Sequence, residues 1–244
     1  MQQYNERTEA MKSAMVKEYV SVNPEANPVA NLIMSDETLR GVIRQYTLFP
    51  ATIVSFLRAA QEGTARAGWG DVASELERNI SEELGSESDD KIHYDILRQA
   101  MQETLSMDIR GISASPATRE FIRGMREAVN DADPAYVLGA VHALEATAVP
   151  ELQIVRSLVD RAAKACGREL SPTMKYFFDL HINDLEIGHE GRLRDEGSKY
   201  LNSAVLFQER LQEALNRYET GFRRTMEVMD RWWKSLAAEA KAHK

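Results

Sequence analysis

The sequence predicts an all-α protein, and three of its features do so. Gly and Pro are scarce, 13 and 7 in 244 residues, while Ala, Leu, Glu and Arg, all good helix formers, abound. Apolar residues recur with the helical period along the chain, with no alternating strand pattern, internal repeat or low-complexity stretch. Helix starts are marked: Asn27-Pro28, Ser115-Pro116, Asp133-Pro134 and Ser171-Pro172 each set a capping side chain before a proline suited to a first helical turn.

Taken in order, these signals place helices at about 5–21, 36–46, 50–67, 70–84 and 90–108, then at about 116–130, 134–148, 150–167, 172–194 and 197–240. The first is amphipathic and weakly apolar. The last is long and bent, and mixes charges with the pair Trp232 and Trp233. Connections such as Gly85–Asp90 and Arg110–Ser115 are short, so residues 1–244 read as one helical domain.

Composition bounds the function. At 43% hydrophobic and 28% charged the chain is an ordinary globular one. Its net charge of −8, without a dense basic block, argues against nucleic-acid binding. No apolar run approaches the ~18–20 residues of a membrane span. The opening MQQYNERTEAMKSAM lacks the apolar core of a secretory signal. A single cysteine, Cys166, fits a reducing compartment and reads as a small buried hydrophobe. A cytoplasmic location is the expectation.

The chemistry gathers in three clusters. In the first, Asn79-Ile80-Ser81-Glu82-Glu83-Leu84-Gly85 ends a helix and His93 opens the next, so that Glu83 and His93 can face each other across a corner. The bland reading is a pair of solvated acids, although acids at a helix C-terminus are disfavoured by the helix dipole. In the second, Glu145 lies among Val137, Leu138, Val141, Leu144 and Val149. A carboxylate there needs a partner, and a metal and an arginine serve equally well. His142, three residues earlier and about 60° away around the helix, reads as a core or outer-layer histidine.

The third cluster, His181-Ile182-Asn183-Asp184-Leu185-Glu186-Ile187-Gly188-His189-Glu190, follows Tyr176-Phe177-Phe178. Two histidines and several acids within a few turns suit iron, manganese or zinc; a polar helix face is the ordinary alternative. In a regular helix His189 falls roughly 80° off the face of His181. One inserted residue, a π-bulge, cancels most of that, and such bulges gather at functional sites. A distorted helix is therefore expected here. Depending on where the bulge falls, Glu186 or Asp184 shares the face of the histidines.

Together the three clusters resemble the haem-oxygenase-like di-iron oxidases and oxygenases. The order N-x-x-[DE]-E-x-G, H, E-x4-P, then FF-x2-H with an acid and a second H runs here through Asn79–Gly85, His93, Glu145–Pro150 and Phe177–His189. The likeness spans about residues 75–195. In the third motif the family's usual H-x3-D-x2-H is replaced by H-x4-E-x2-H, one residue longer. The resemblance implies a haem-oxygenase-like bundle of about seven core helices. It implies Glu83, His93, Glu145, His181, Glu186 and His189 as ligands, with Asp184 as the alternative to Glu186. It further implies two Fe(II) ions, O2 as co-substrate, an external electron donor, a homodimer, and a small substrate such as an amino acid or its derivative. Tyr94, His142, Tyr176 and Phe177 are candidates for the pocket wall, and Arg98, Arg110, Arg119 and Arg123 for meeting a substrate carboxylate. The competing readings are a metal-independent enzyme of the same fold, resembling thiaminase II or pyrroloquinoline-quinone synthase, and a non-catalytic helical interaction protein.

Overall fold

The structure, a computed structural model, describes residues 2–201 and 208–242, and of residues 2, 3, 184–187, 208 and 209 the backbone alone. Its elements are α1 (Gln2–Glu18), a 3-10 turn (Val20–Val22), α2 (Asp36–Thr47), α3 (Ile53–Arg66), α4 (Gly70–Glu83) and α5 (His93–Leu105). They continue with α6 (Pro116–Val129), α7 (Pro134–Ala165), α8 (Pro172–Asp179), a π-helical segment (Leu180–Leu185), α9 (Glu186–Leu201) and α10 (Gln208–Ala242). No strand occurs among the described residues, and none of their helices is long and apolar enough to cross a membrane.

Caps decide where several helices begin. The side chains of Ser115, Asp133 and Ser171 accept hydrogen bonds from the backbone N–H groups of Thr118, of Ala135 and Tyr136, and of Met174. Proline occupies the first turn each time, where its missing N–H costs nothing. Asn27 makes the same bonds, to Val29 N and Ala30 N, but only a turn follows it.

Helix α7 departs from expectation. The break foreseen between 148 and 150 is absent, and one helix runs through Pro150 from Pro134 to Ala165. A proline inside a helix forfeits one backbone hydrogen bond. Here burial of both halves offsets that cost, since Leu144, Leu152, Ile154, Val155 and Leu158 are all core residues. At the other end of the chain, residues 202–207 of the expected helix 197–240 lie outside the described residues, between α9 and α10.

Close packing of α7 against α10 organises the core. A Cβ on Gly139 would lie 1.9 Å from the Tyr218 carbonyl oxygen, and one on Gly221 would lie 2.0 Å from that of Tyr136. Only glycine fits at such an approach. Trp232 and Trp233 on α10 are fully buried. Trp232 stacks on Phe121 with ring centroids 4.0 Å apart, and Tyr46 stacks on both tryptophans. The pair Trp232 and Trp233 is thus packed within the chain's own core. Cys166 corrects a second expectation: it is exposed, in the turn after α7, where Arg40 Nη2 donates to its Sγ at 2.9 Å.

Candidate metal centre

Chain geometry at the α4–α5 corner brings the first donors together. Helix α4 stops at Gly85, whose φ of +112° belongs to glycine, and a Cβ there would lie 2.8 Å from the backbone at Asp90 and Lys91. The carbonyl of Gly85 accepts from the N–H groups of Ser88 and Asp90, which closes the turn. Glu83 in the last turn of α4 therefore meets His93 in the first turn of α5, with Oε2 and Nδ1 3.5 Å apart.

His181 completes the group from the π-helical segment. Its ring lies edge-on to that of His93, with centroids 4.7 Å apart. One ligand atom from each of Glu83, His93 and His181 lies within 4.8 Å of the other two. Among the described residues neither ring nitrogen of buried His93 has a hydrogen-bond partner, an expensive arrangement for a polar group in a core. His181 Nδ1 donates to the carbonyl of Phe177 at 2.7 Å. A carbonyl only accepts, so Nδ1 carries the proton and Nε2 keeps its lone pair.

Electrostatics favour the same protonation states. Burial, reinforced by the field of His93, holds His181 below the usual histidine range against the pull of Glu83. For Glu83, burial acts to raise the carboxyl, but His93, with His181 and His189, overrides it and holds the group below its ordinary value. A neutral imidazole and an ionised carboxylate are the forms that bind metal. In donor chemistry this cluster fits a borderline divalent cation such as Fe(II).

A second group adjoins the first. The π segment at Leu180–Leu185 supplies the extra residue that the spacing of the two histidines calls for, and His181 and His189 line one cavity. His189 Nδ1 lies 3.4 Å from Glu145 Oε2, and Asn79 Nδ2 donates to Glu145 Oε1 at 3.3 Å. Nε2 of His189 is hydrogen-bonded to Glu82. Arg192 in turn lies 3.5 Å from Glu82 and hydrogen-bonds Glu75 at 2.9 Å, which also pairs with Arg78. The side chains of Asp184 and Glu186, the alternative acids of this group, lie outside the described residues.

Glu82 is the residue that sequence reasoning passed over as a solvated charge. It is 4% exposed. Glu75, Asn79 and Glu82 stand at i, i+4 and i+7, one stripe of α4, which is the signal that could have found it. Glu151 escaped notice as well. It lines the cavity beside Leu144, Glu145, Ala148 and Leu152, at helical spacing along α7.

The remaining wall residues divide. Phe177 and Tyr94 line the cavity, Phe177 with its ring against His181 and Tyr94 donating to the Ile109 carbonyl at 3.2 Å. Tyr176 is exposed. His142, expected at the pocket wall, belongs elsewhere. Both its nitrogens are engaged, Nδ1 by the hydroxyl of Tyr218 and Nε2 by Glu190 at 2.8 Å. With Lys12 on its other side, Glu190 is held down to about 2: burial opposes this shift, and the hydrogen bond and charge of His142 drive it.

Comparison with known proteins supplies a frame for this geometry. A family model described as a domain of unknown function with solved structure, DUF3865, matches residues 5–239. A CADD-like protein of unknown function from Nostoc punctiforme PCC 73102 is 30% identical, with a TM-score of 0.88 over 98% of this chain and 99% of that one. A second structure of that protein, at 1.35 Å resolution, matches with a TM-score of 0.87 and 29% identity over 100% and 98% of the two chains. A domain of unknown function with a haem-oxygenase-like fold, from Shewanella denitrificans OS217, is 13% identical, with a TM-score of 0.56 over 95% and 90% of the chains. That last likeness concerns the fold alone. No curated protein matches the sequence.

Proposed function

The chain belongs to the DUF3865 family and has the haem-oxygenase-like fold, and we propose that it is a non-haem iron oxidase or oxygenase that holds two Fe(II) ions and uses O2 to oxidise a small substrate. One observation carries this reading. Three buried or half-buried donors, Glu83, His93 and His181, converge within 4.8 Å, and among the described residues neither nitrogen of His93 has a hydrogen-bond partner. Ordinary core histidines satisfy at least one nitrogen, as His142 does.

Iron would supply the electrons for O2 reduction. The chain's own share is placement. Phe177 locks His181 in the tautomer that presents Nε2, and Asn79 orients the Glu145 carboxylate. Glu82, backed by Arg192 and Glu75, holds the ring of His189. Apolar walls formed by Phe49, Ile53, Leu57, Leu144 and Phe177 keep water from the reacting groups. The second ion would sit at Glu145 and His189, with Asp184 or Glu186 as the remaining acid.

Anaerobic Fe(II) titration followed by exposure to O2 tests the reading. Two irons per chain and a transient visible absorption on oxygen addition are expected, with products then sought by mass spectrometry after incubation with amino acids and amines. Iron that binds no more tightly than to the His93→Ala variant would sink the proposal.

A further inference from the structure

The cavity wall holds an acid that the iron-binding reading does not use. Glu151 is 1% exposed and lines the cavity. Its Oε1 accepts from Trp233 Nε1 at 2.7 Å, and among the described residues this carboxyl has no other hydrogen-bond or ion-pair partner. Buried acids are normally paired with a cation or fully hydrogen-bonded. Lacking a cation, Glu151 is pushed up by burial to about 8, with the Trp233 bond pulling the other way.

No lysine or arginine lines the cavity among the described residues. The arginines that sequence alone offered for a substrate carboxylate are occupied on the surface. Arg98 pairs with Asp95, Arg110 with Asp108, and Arg123 with Glu120 and Glu127, while Arg119 donates to the Ala114 carbonyl. Beside the three histidines and Asn79 of the metal-centre region, the cavity wall is made of apolar groups, two tyrosines and three acids, and of these acids Glu151 has no cationic partner among the described residues. Tyr46 lines the same cavity and stacks on Trp233, with centroids 6.1 Å apart, which holds the indole that donates to the carboxyl.

We infer that Glu151 anchors the ammonium group of an amine substrate whose other end extends toward the Glu83–His93–His181 group. The assignment rests on the iron-binding reading for what happens to the ligand, but not for how it binds. Glu145 and Glu151 are six residues apart on α7, about 9 Å along the helix axis. A ligand of medium length bridges that span. Glu151 gives up its proton as the ammonium arrives, and the ion pair forms in a dry pocket where the Trp233 N–H already favours the carboxylate form. Glu151 is thus a substrate-binding group, and its role is discrimination between amines and their neutral or anionic isosteres.

Calorimetric titration of the full chain with hexylamine, hexanol and hexanoate, each with and without anaerobic Fe(II), tests this. Hexylamine should bind at least about tenfold more tightly than hexanol in the absence of iron, and release protons at pH 7, seen as a heat that varies with the buffer. Glu151→Gln, which keeps an oxygen for Trp233, should abolish the preference and the proton release while hexanol binding and iron stoichiometry stay unchanged. Hexanoate or hexanol binding as well as hexylamine would overturn the assignment, and so would an unaltered hexylamine affinity in the variant. The comparison among ligands of the unmodified protein decides the matter even if the variant fails to fold. Absence of iron binding would refute the proposed function and leave the iron-free result standing.

Discussion

His181→Ala is expected to leave a folded protein that no longer holds iron at the Glu83–His93 group. The side chain contributes one of three converging donors, and its Nε2 is directed to ligation by the bond from Nδ1 to the Phe177 carbonyl. Loss of a partner that merely orients a ligand typically costs 10–100-fold in metal affinity. Loss of the ligand itself should exceed about 100-fold, and O2-dependent turnover should fall to background with it. Helix α8 does not depend on this residue, since the Ser171 cap and the buried Met174, Phe177 and Phe178 fix it independently. Circular dichroism and iron analysis on the same sample separate the two effects. A variant that retains iron and oxygen reactivity would remove His181 from the site.

The second large effect is on stability. Glu151 carries its proton in the folded chain up to about pH 8, whereas an unfolded glutamate releases it near 4.5. Between those values the folded state binds one proton more than the unfolded state, so stability declines as pH rises, by about 1.4 kcal/mol per unit. The contribution is intact below about pH 4.5 and is lost as pH climbs through the folded value. Glutamine at this position cannot ionise and still accepts from Trp233. Glu151→Gln should therefore match the parent in urea denaturation near pH 4.5 and exceed it at pH 8 by on the order of 3–5 kcal/mol. A difference between the two proteins that does not change with pH would show that Glu151 is ionised or solvated throughout.

Much of this molecule is legible in its sequence, and the illegible parts share a cause. Ser115, Asp133 and Ser171 announce their helices because a capping side chain acts within its own turn. Asn27 shows the limit: it makes identical local bonds, yet no helix follows, since a cap cannot extend what packing does not support. The eight-residue interval between His181 and His189 called for one extra residue, and the π-helical segment at Leu180–Leu185 supplies it.

Burial of acids was harder to read. Glu145 stands out in an apolar helix. Glu151 did not, because a break before Pro150 would set it in the first turn of a new helix, where an acid is unremarkable. The continuous α7 puts it in the core instead. Glu82 was masked by its neighbour Glu83, since two adjacent acids at a helix end look solvated until α9 is packed over them. Cys166 was expected to be buried and is exposed, because whether a side chain at a helix end faces the core or solvent depends on tertiary contacts from distant parts of the chain.

The central claim is a metal bound by Glu83, His93 and His181. Anomalous diffraction at the iron edge, from crystals soaked anaerobically in Fe(II), examines it directly. The account predicts a strong peak within coordination distance of the Glu83 carboxylate, a ring nitrogen of His93 and Nε2 of His181, with a second peak beside Glu145 and His189. A map with no peak among those three residues at saturating Fe(II), their side chains otherwise ordered, would contradict it.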